Sequence, residues 1–294
     1  MKLFDIFKKK AGEQKEEFTN NPGRLQNFPE MLVVKLLFID KPNLNVDDIS
    51  KELGQYFDIF NTNKVDDKKP NNALIFTFPD VKVELADVTI PAQCIVAIPD
   101  DKFPLLEIPE VAFQQNWHWA EANDITKKCR YELMVTDLMT RTLEYKQRLN
   151  LYTRFLTAVA KATNPDVVYS VYGQKLVNPA QIIENVDSKE PELLHSIFNV
   201  RLYNITDTGN RDLLMDTVGL HSIGLPDFQI RFSNFETNVI ANLLWNYAYY
   251  IFENGDIIEN GNTLEGIESG SRWKCERIIS PLHPERMVIN VQPN

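Results

Sequence analysis

ALIFTFPDVKVELADVTIPAQCIVAI, residues 73–98, holds three strand-like runs with no helical stretch between them. In residues 81–90, Val81, Val83 and Leu85 alternate with polar neighbours, the period-two pattern of a strand with one solvated face. Pro79-Asp80 reads as the hairpin turn between the first two runs, 73–78 and 81–90, because proline and aspartate both favour turn backbone. Residues 93–98 supply the third run. Strands that follow one another through short turns pair antiparallel, so this stretch makes an antiparallel sheet the base of the fold.

On its amino side, MLVVKLLFID (31–40) is a nearly continuous apolar run and reads as a buried strand. Asn45 is placed to cap a helix whose stripe is Val46, Ile49, Leu53, Tyr56 and Phe57. Residues 62–72 read as a polar loop, and residues 1–30 as a tail or linker, charged and broken by proline. Within that tail Leu3, Phe4 and Phe7 share one helical face ahead of Lys8-Lys9-Lys10, the pattern of a weak surface-docking helix. The apolar patch is too short for a secretory signal.

On the carboxyl side the spacing predicts a helix over 109–122, carrying Trp117-His118-Trp119, a strand over 129–138 and a long helix over 141–162 that Asn164-Pro165 stops. The order then recurs: a strand at 166–172, a short helix at 179–186, and strands at 195–206, 213–220 and 227–232. Ser233 with Glu236 reads as a capping box for a helix striped by Val239, Ile240, Leu243, Leu244, Tyr247 and Ile251 and ended by Gly255. Strands at 272–279 and 286–291 close the chain.

Each half therefore reads β-α-β-β-β-α-β, offset by roughly 125–145 residues. The expected fold class is α+β: two similar units packed together, an internal duplication, with mostly antiparallel sheets and helices on one face. The expected division is a 1–30 tail, a 31–140 unit, and a 141–294 unit joined through the long helix.

Composition narrows the function. The chain has 294 residues, 44% hydrophobic and 24% charged, with a formal net charge of −10. An acidic chain is repelled by phosphate backbones, which disfavours nucleic acid and favours a basic protein partner. Cys94, Cys129 and Cys275 are odd in number and far apart, so neither a disulfide framework nor a zinc site is expected and a reducing cytoplasm fits. No run is long and apolar enough to span a membrane. There is no GxGxxG, no GxxxxGK[ST] and no GxSxG, so no cofactor is expected.

Glycines and carboxylates concentrate between Met215 and Gly266. The candidate binding residues there are Asp216, Thr217, His221, Asp227, Asp256, Glu259, Thr263 and Glu265, to which Trp117 and Trp119 are added as cleft aromatics. A histidine near a carboxylate is the usual acid–base pairing, but Asp216 and His221 would point to opposite faces of a regular strand, and no nucleophile accompanies them. Counting from Asp256, the early ligands of a calcium loop are missing, so no metal is expected. Asn260-Gly261 reads instead as a hairpin turn.

GLHSIGLPDFQI followed by YYIFENGDIIENGNTLEG resembles the C-terminal signature of a bacterial family described only as a domain of unknown function, number 4261 in its series. Gly219, Leu220, Gly224, Leu225, Pro226, Asp227, Gly255, Asp256, Gly261 and Thr263 carry the match. The family pattern often has Glu where this chain has Asp227. The resemblance brings no catalytic residue with it. It implies an uncharacterised bacterial protein; the residues favour a non-catalytic partner protein, and the resemblance implies an immunity- or adaptor-like form of it. Two rival readings are a hydrolase using His221 with Asp216 and Asp227, and a small-ligand sensor with a pocket between the halves.

Overall fold

The computed structural model describes residues 28–64, 73–99, 107–206 and 212–293. Most of the predicted tail, with the Leu3, Phe4 and Phe7 face and the lysine run, lies outside the described residues. The described strands form two sheets. The first contains β1 (Val33–Phe38), β2 (Asn61–Lys64), β3 (Ala73–Glu84), β4 (Thr89–Ala97), β5 (Tyr131–Leu138), β6 (Val167–Ser170) and β7 (Lys175–Val177), in the order β2-β3-β4-β5-β1-β6-β7. All its pairings are antiparallel. The second contains β8 (Asn199–Ile205), β9 (Asp212–Val218), β10 (Asp227–Phe232), β11 (Thr263–Glu265), β12 (Arg272–Ile279) and β13 (Met287–Gln292), in the order β11-β12-β13-β10-β9-β8. Its one parallel pair is β10 with β13. No helix among the described residues is long and apolar enough to cross a membrane.

The class is α+β, as expected, but the strand orders of the two sheets do not repeat. Residues 167–177, read as part of the second unit, hydrogen-bond to β1 and complete the first sheet. The helices are α1 (Val46–Leu53), α2 (Glu110–Gln114), α3 (Ala122–Thr126), α4 (Tyr145–Thr163), α5 (Pro179–Asp187) and α6 (Thr237–Asn254). α4 buries Leu149, Tyr152, Phe155, Leu156 and Val159 in one core that runs from Leu36 and Phe76 of the first sheet to Phe228 and Ile289 of the second. Each such side chain contributes about 1.5–3 kcal/mol. Asn164, in left-handed backbone, ends this helix. The opposite face of the first sheet holds a smaller core, where Leu37, Tyr169 and Leu176 pack with Ala112 of α2 and Ala122 of α3.

Several local expectations are corrected. Residues 73–90 make one long strand and the start of the next. Pro79-Asp80 falls where the β3–β4 register shifts between Phe78 and Lys82; proline, lacking an N–H, sits in that irregularity without losing a ladder bond. The turn comes later, closed by Leu85 N–H to Val88 C=O at 3.0 Å. Residues 62–64, read as loop, belong to β2 and pair with β3. Ser233 does not cap α6: residues 233–236 turn the chain out of β10, and Glu236 stands at the cap position without a side-chain bond. Val239 of the predicted stripe is exposed, whereas Ile240, Leu244, Tyr247 and Ile251 are buried. The β11–β12 hairpin closes over 266–271 and not at Asn260-Gly261. The Asn-Gly pair lies beside β12, where Gly261 N–H donates to Cys275 C=O at 2.9 Å.

The predicted 109–122 helix breaks after Gln114 for a physical reason. The next side chains bond to other strands instead of prolonging the helix. Gln115 donates to Leu202 C=O and accepts from Leu202 N–H, both at 2.9 Å. Asn116 accepts from Leu176 N–H at 3.2 Å, and His118 Nε2–H donates to Leu176 C=O at 3.0 Å. Leu176 lies on β7 and Leu202 on β8, the outermost strands of their sheets. Residues 115–118 thus act as a clasp that satisfies the free edges of both sheets at once.

Candidate functional site

The antiparallel register of β8 with β9 sets Arg201 directly opposite Asp216. The pair is bidentate: Nε to Oδ1 at 2.9 Å and Nη2 to Oδ2 at 2.5 Å. Because β10 runs parallel to β13, the first residues of the two strands lie side by side. Arg286, just before β13, therefore lands beside Asp227, the first residue of β10. Its Nε donates to Asp227 Oδ2 at 3.1 Å and its Nη2 to Asp216 Oδ2 at 2.5 Å. The other guanidinium donors go to Ser280 Oγ and to the carbonyls of Thr217, Leu282 and Pro284.

His221 reaches this centre because β9 stops at Val218. A 3-10 turn, Leu220–Ile223, follows Gly219 and re-aims the side chain. Gly219 has φ +125°, and a Cβ there would stand 2.0 Å from Ile197 O, so glycine is required. The turn presents Leu220 N–H (3.2 Å), His221 N–H (3.3 Å) and His221 Nδ1 (2.9 Å) to the Asp227 carboxylate. Thr217 Oγ1 donates to Asp227 Oδ1 at 2.9 Å and accepts from Phe228 N–H at 2.8 Å. The expectation that Asp216 and His221 point apart is thus corrected: Asp227 and Arg286 bridge them.

Asp216 and Asp227 are wholly buried, and Arg201, Arg286 and His221 nearly so. Burial alone would raise the Asp227 carboxyl; the bond from His221 and the Arg286 charge outweigh it and hold the group below its ordinary value. Burial likewise opposes the charge on Arg201, and Asp216 more than restores it. Two guanidinium groups and two carboxylates neutralise one another with nearly every hydrogen-bonding position filled, the condition under which buried charge is tolerated.

The remaining predicted residues lie elsewhere. Asp256 accepts both terminal nitrogens of Arg277, at 2.6 and 2.8 Å. Glu259, Thr263 and Glu265 are exposed on the ribbon that leads into and forms the edge strand β11. Trp117 is exposed, while Trp119 packs against the smaller core. Neither tryptophan shares a site with His221. Among the described residues no group of three or more His, Cys, Asp or Glu is disposed to hold a metal ion. A groove of about 600 Å³ lies on the second sheet, lined in part by Leu214, Gln229, Arg231 and Asn290. Gln229 is the register partner of Asp216, so the groove adjoins the buried centre, and Gln229 Oε1 is buried there without a partner among the described residues.

Arg201, Arg286 and Arg277 complete these arrangements and escaped the sequence reading. Arg201 was legible as an anomaly, a charge between Val200 and Leu202 in an apolar strand. Arg286 carried no such signal, since its role depends on the parallel return of β13.

Residues 216–292 match the family model of a domain of unknown function (DUF4261). The match begins at Asp216 and contains Asp227, His221 and Arg286, with Arg201 outside it. No curated protein and no solved structure matches the chain.

Proposed function

We propose that this chain is a non-catalytic binding protein that docks a basic protein partner on the ribbon 253–268. The observation that supports this is the division of the family segment into two kinds of surface. Its acid–base residues are spent on one another inside the fold. The ribbon carries Glu253, Asp256, Glu259, Glu265 and Glu268 with no lysine or arginine among them. Glu253 is engaged by Lys146 and Asp256 by Arg277, which leaves Glu259, Glu265 and Glu268 exposed and outside any salt bridge among the described residues, with Glu259 also acting on the Arg277 charge and Glu265 opposite Arg272 of β12. Ile257 and Tyr250, also exposed, supply apolar anchors beside the charge, the pairing that gives an interface both steering and affinity. An immunity- or adaptor-like role is one form of this reading.

The test is comparative capture. A photo-crosslinker at residue 263 in the full chain should trap the same protein repeatedly, and raised salt during irradiation should lower the trapped yield. The E259K/E265K/E268K chain should trap none of it. Equal capture by the charge-reversed chain would end this reading.

One observation favours a second reading. Asp227 orients His221 through Nδ1 at 2.9 Å, the support a general-base imidazole needs. A hydrolase of this kind would turn over simple activated esters and lose that turnover in H221N; absence of turnover in the unaltered chain removes it.

A further inference from the structure

A second cluster of ionisable groups lies outside the family segment, where β7 meets the residues leading into β8. Lys175 opens β7 and is 3% exposed, yet among the described residues its ammonium makes no hydrogen bond and no ion pair. Its cross-strand partner, Ser170, is uncharged. His118 arrives from the clasp and spends its Nε2–H on Leu176 C=O. His195 arrives from the 3-10 turn Leu193–Ser196. Its ring stacks on Trp245, centroids 6.2 Å apart and 17° from parallel, and its Nε2 is buried without a partner among the described residues.

Burial pushes Lys175 down to about 7. Burial first, and then the charge of Lys175, pushes His118 to about 4 and His195 to about 3. No carboxylate acts on any of the three. Glu192, at the head of the turn that carries His195, acts on Tyr249 of α6 instead. Proteins rarely bury a lysine without an acid. A buried Lys175, a half-buried His195 with one idle sealed nitrogen and an exposed His118, with no counter-charge among them, leave room in the electrostatics for an anion that enters from solvent.

We infer that this seam between the sheets is an oxyanion site, in which the Lys175 ammonium and His195 Nε2–H hold a phosphate or carboxylate group beside the Trp245 ring. The bound charge replaces the missing acid, and charge-assisted bonds from lysine and histidine are the strong ones. The site is independent of the 253–268 ribbon.

The full chain tests it, by thermal unfolding and calorimetry with inorganic phosphate, acetate and chloride at matched ionic strength and pH 8. Phosphate or acetate raises the melting temperature saturably beyond chloride, and the stronger of the two assigns the headgroup. Binding also takes up a proton, read as a difference in heat between Tris and HEPES; a surface lysine, already charged at pH 8, takes up none. K175M keeps an apolar stem in the same space, folds, and binds at least about tenfold more weakly with no proton uptake. H195N, folded and with Lys175 intact, weakens binding to a smaller degree. The inference is overturned if neither anion exceeds chloride, or if K175M binds as the parent chain does.

Discussion

Arg201, Asp216, Asp227 and Arg286 bury two positive and two negative charges together, whereas Lys175 is buried with no acid acting on it, alongside a half-buried His195 and an exposed His118. The first cluster is neutral as a whole and can stay ionised. Its worth lies in geometry, since it ties β8, β9, β10, the 219–224 turn and the 280–286 loop to one point. The second is neutral only when its members give up protons. Its worth lies in what it can still accept. Burial by itself therefore does not mark a functional group.

The comparison breaks first at Asp216. Asp216→Leu leaves two guanidinium groups buried beside one carboxylate, and urea unfolding should show a loss of about 3–5 kcal/mol. A loss below about 1 kcal/mol would mean that the balanced cluster holds nothing together. Its pH signature is also set. Asp227 titrates below its ordinary 3.8, so its stabilisation is present above that value and fades as pH falls through the folded-state value.

Lys175 should behave in the opposite sense. Its folded-state value of about 7 lies below the ordinary 10.5, so the unfolded chain holds more protons between those limits. The penalty is complete below pH 7, and stability rises as pH climbs from 7 towards 10.5. Lys175→Met should raise stability at pH 7 by about 2–4 kcal/mol and flatten that rise. An unchanged slope in the pH dependence of the urea midpoint would show that Lys175 has an anionic partner after all.

The remaining substitutions sharpen the contrast with groups outside both clusters. Asn116→Ala deprives the Leu176 N–H of its acceptor and should cost about 1–3 kcal/mol, with faster hydrogen exchange at Leu176 as the local readout. Arg231 pairs with Asp212 at an exposed position, and Arg231→Ala should cost less than about 1 kcal/mol. A larger loss there would show that surface pairs rival buried ones in this fold.

Much of the architecture was legible. DFQIRF was read at 227–232 and RWKCERII at 272–279, and both occur at those bounds. These are alternating or apolar strands whose periodicity survives any tertiary context. Strand pairing was not legible, because element order says nothing of which strands pair. Val167–Ser170 follows the long helix in sequence, yet it joins β1, 136 positions earlier at the Val34–Ser170 pair. In the site, Thr217, His221 and Asp227 lie within eleven residues of one another in sequence and were found together. Arg201 and Arg286 reach them only through cross-strand register. Lys175 went unremarked because KLV at 175–177 gives no hint that its lysine faces inward.

The clasp at residues 115–118 bears on the company the molecule keeps. Unpaired strand edges are templates on which further strands of other molecules add, the route to fibres and precipitates. The Leu176 and Leu202 positions are two such templates, and a single short connection, hung between five-residue helices with exposed Trp117 at its centre, keeps both occupied. Colloidal behaviour in concentrated solution is thereby tied to a few amide groups and one imidazole, because cutting or displacing this connection would bare both edges to the addition of further strands.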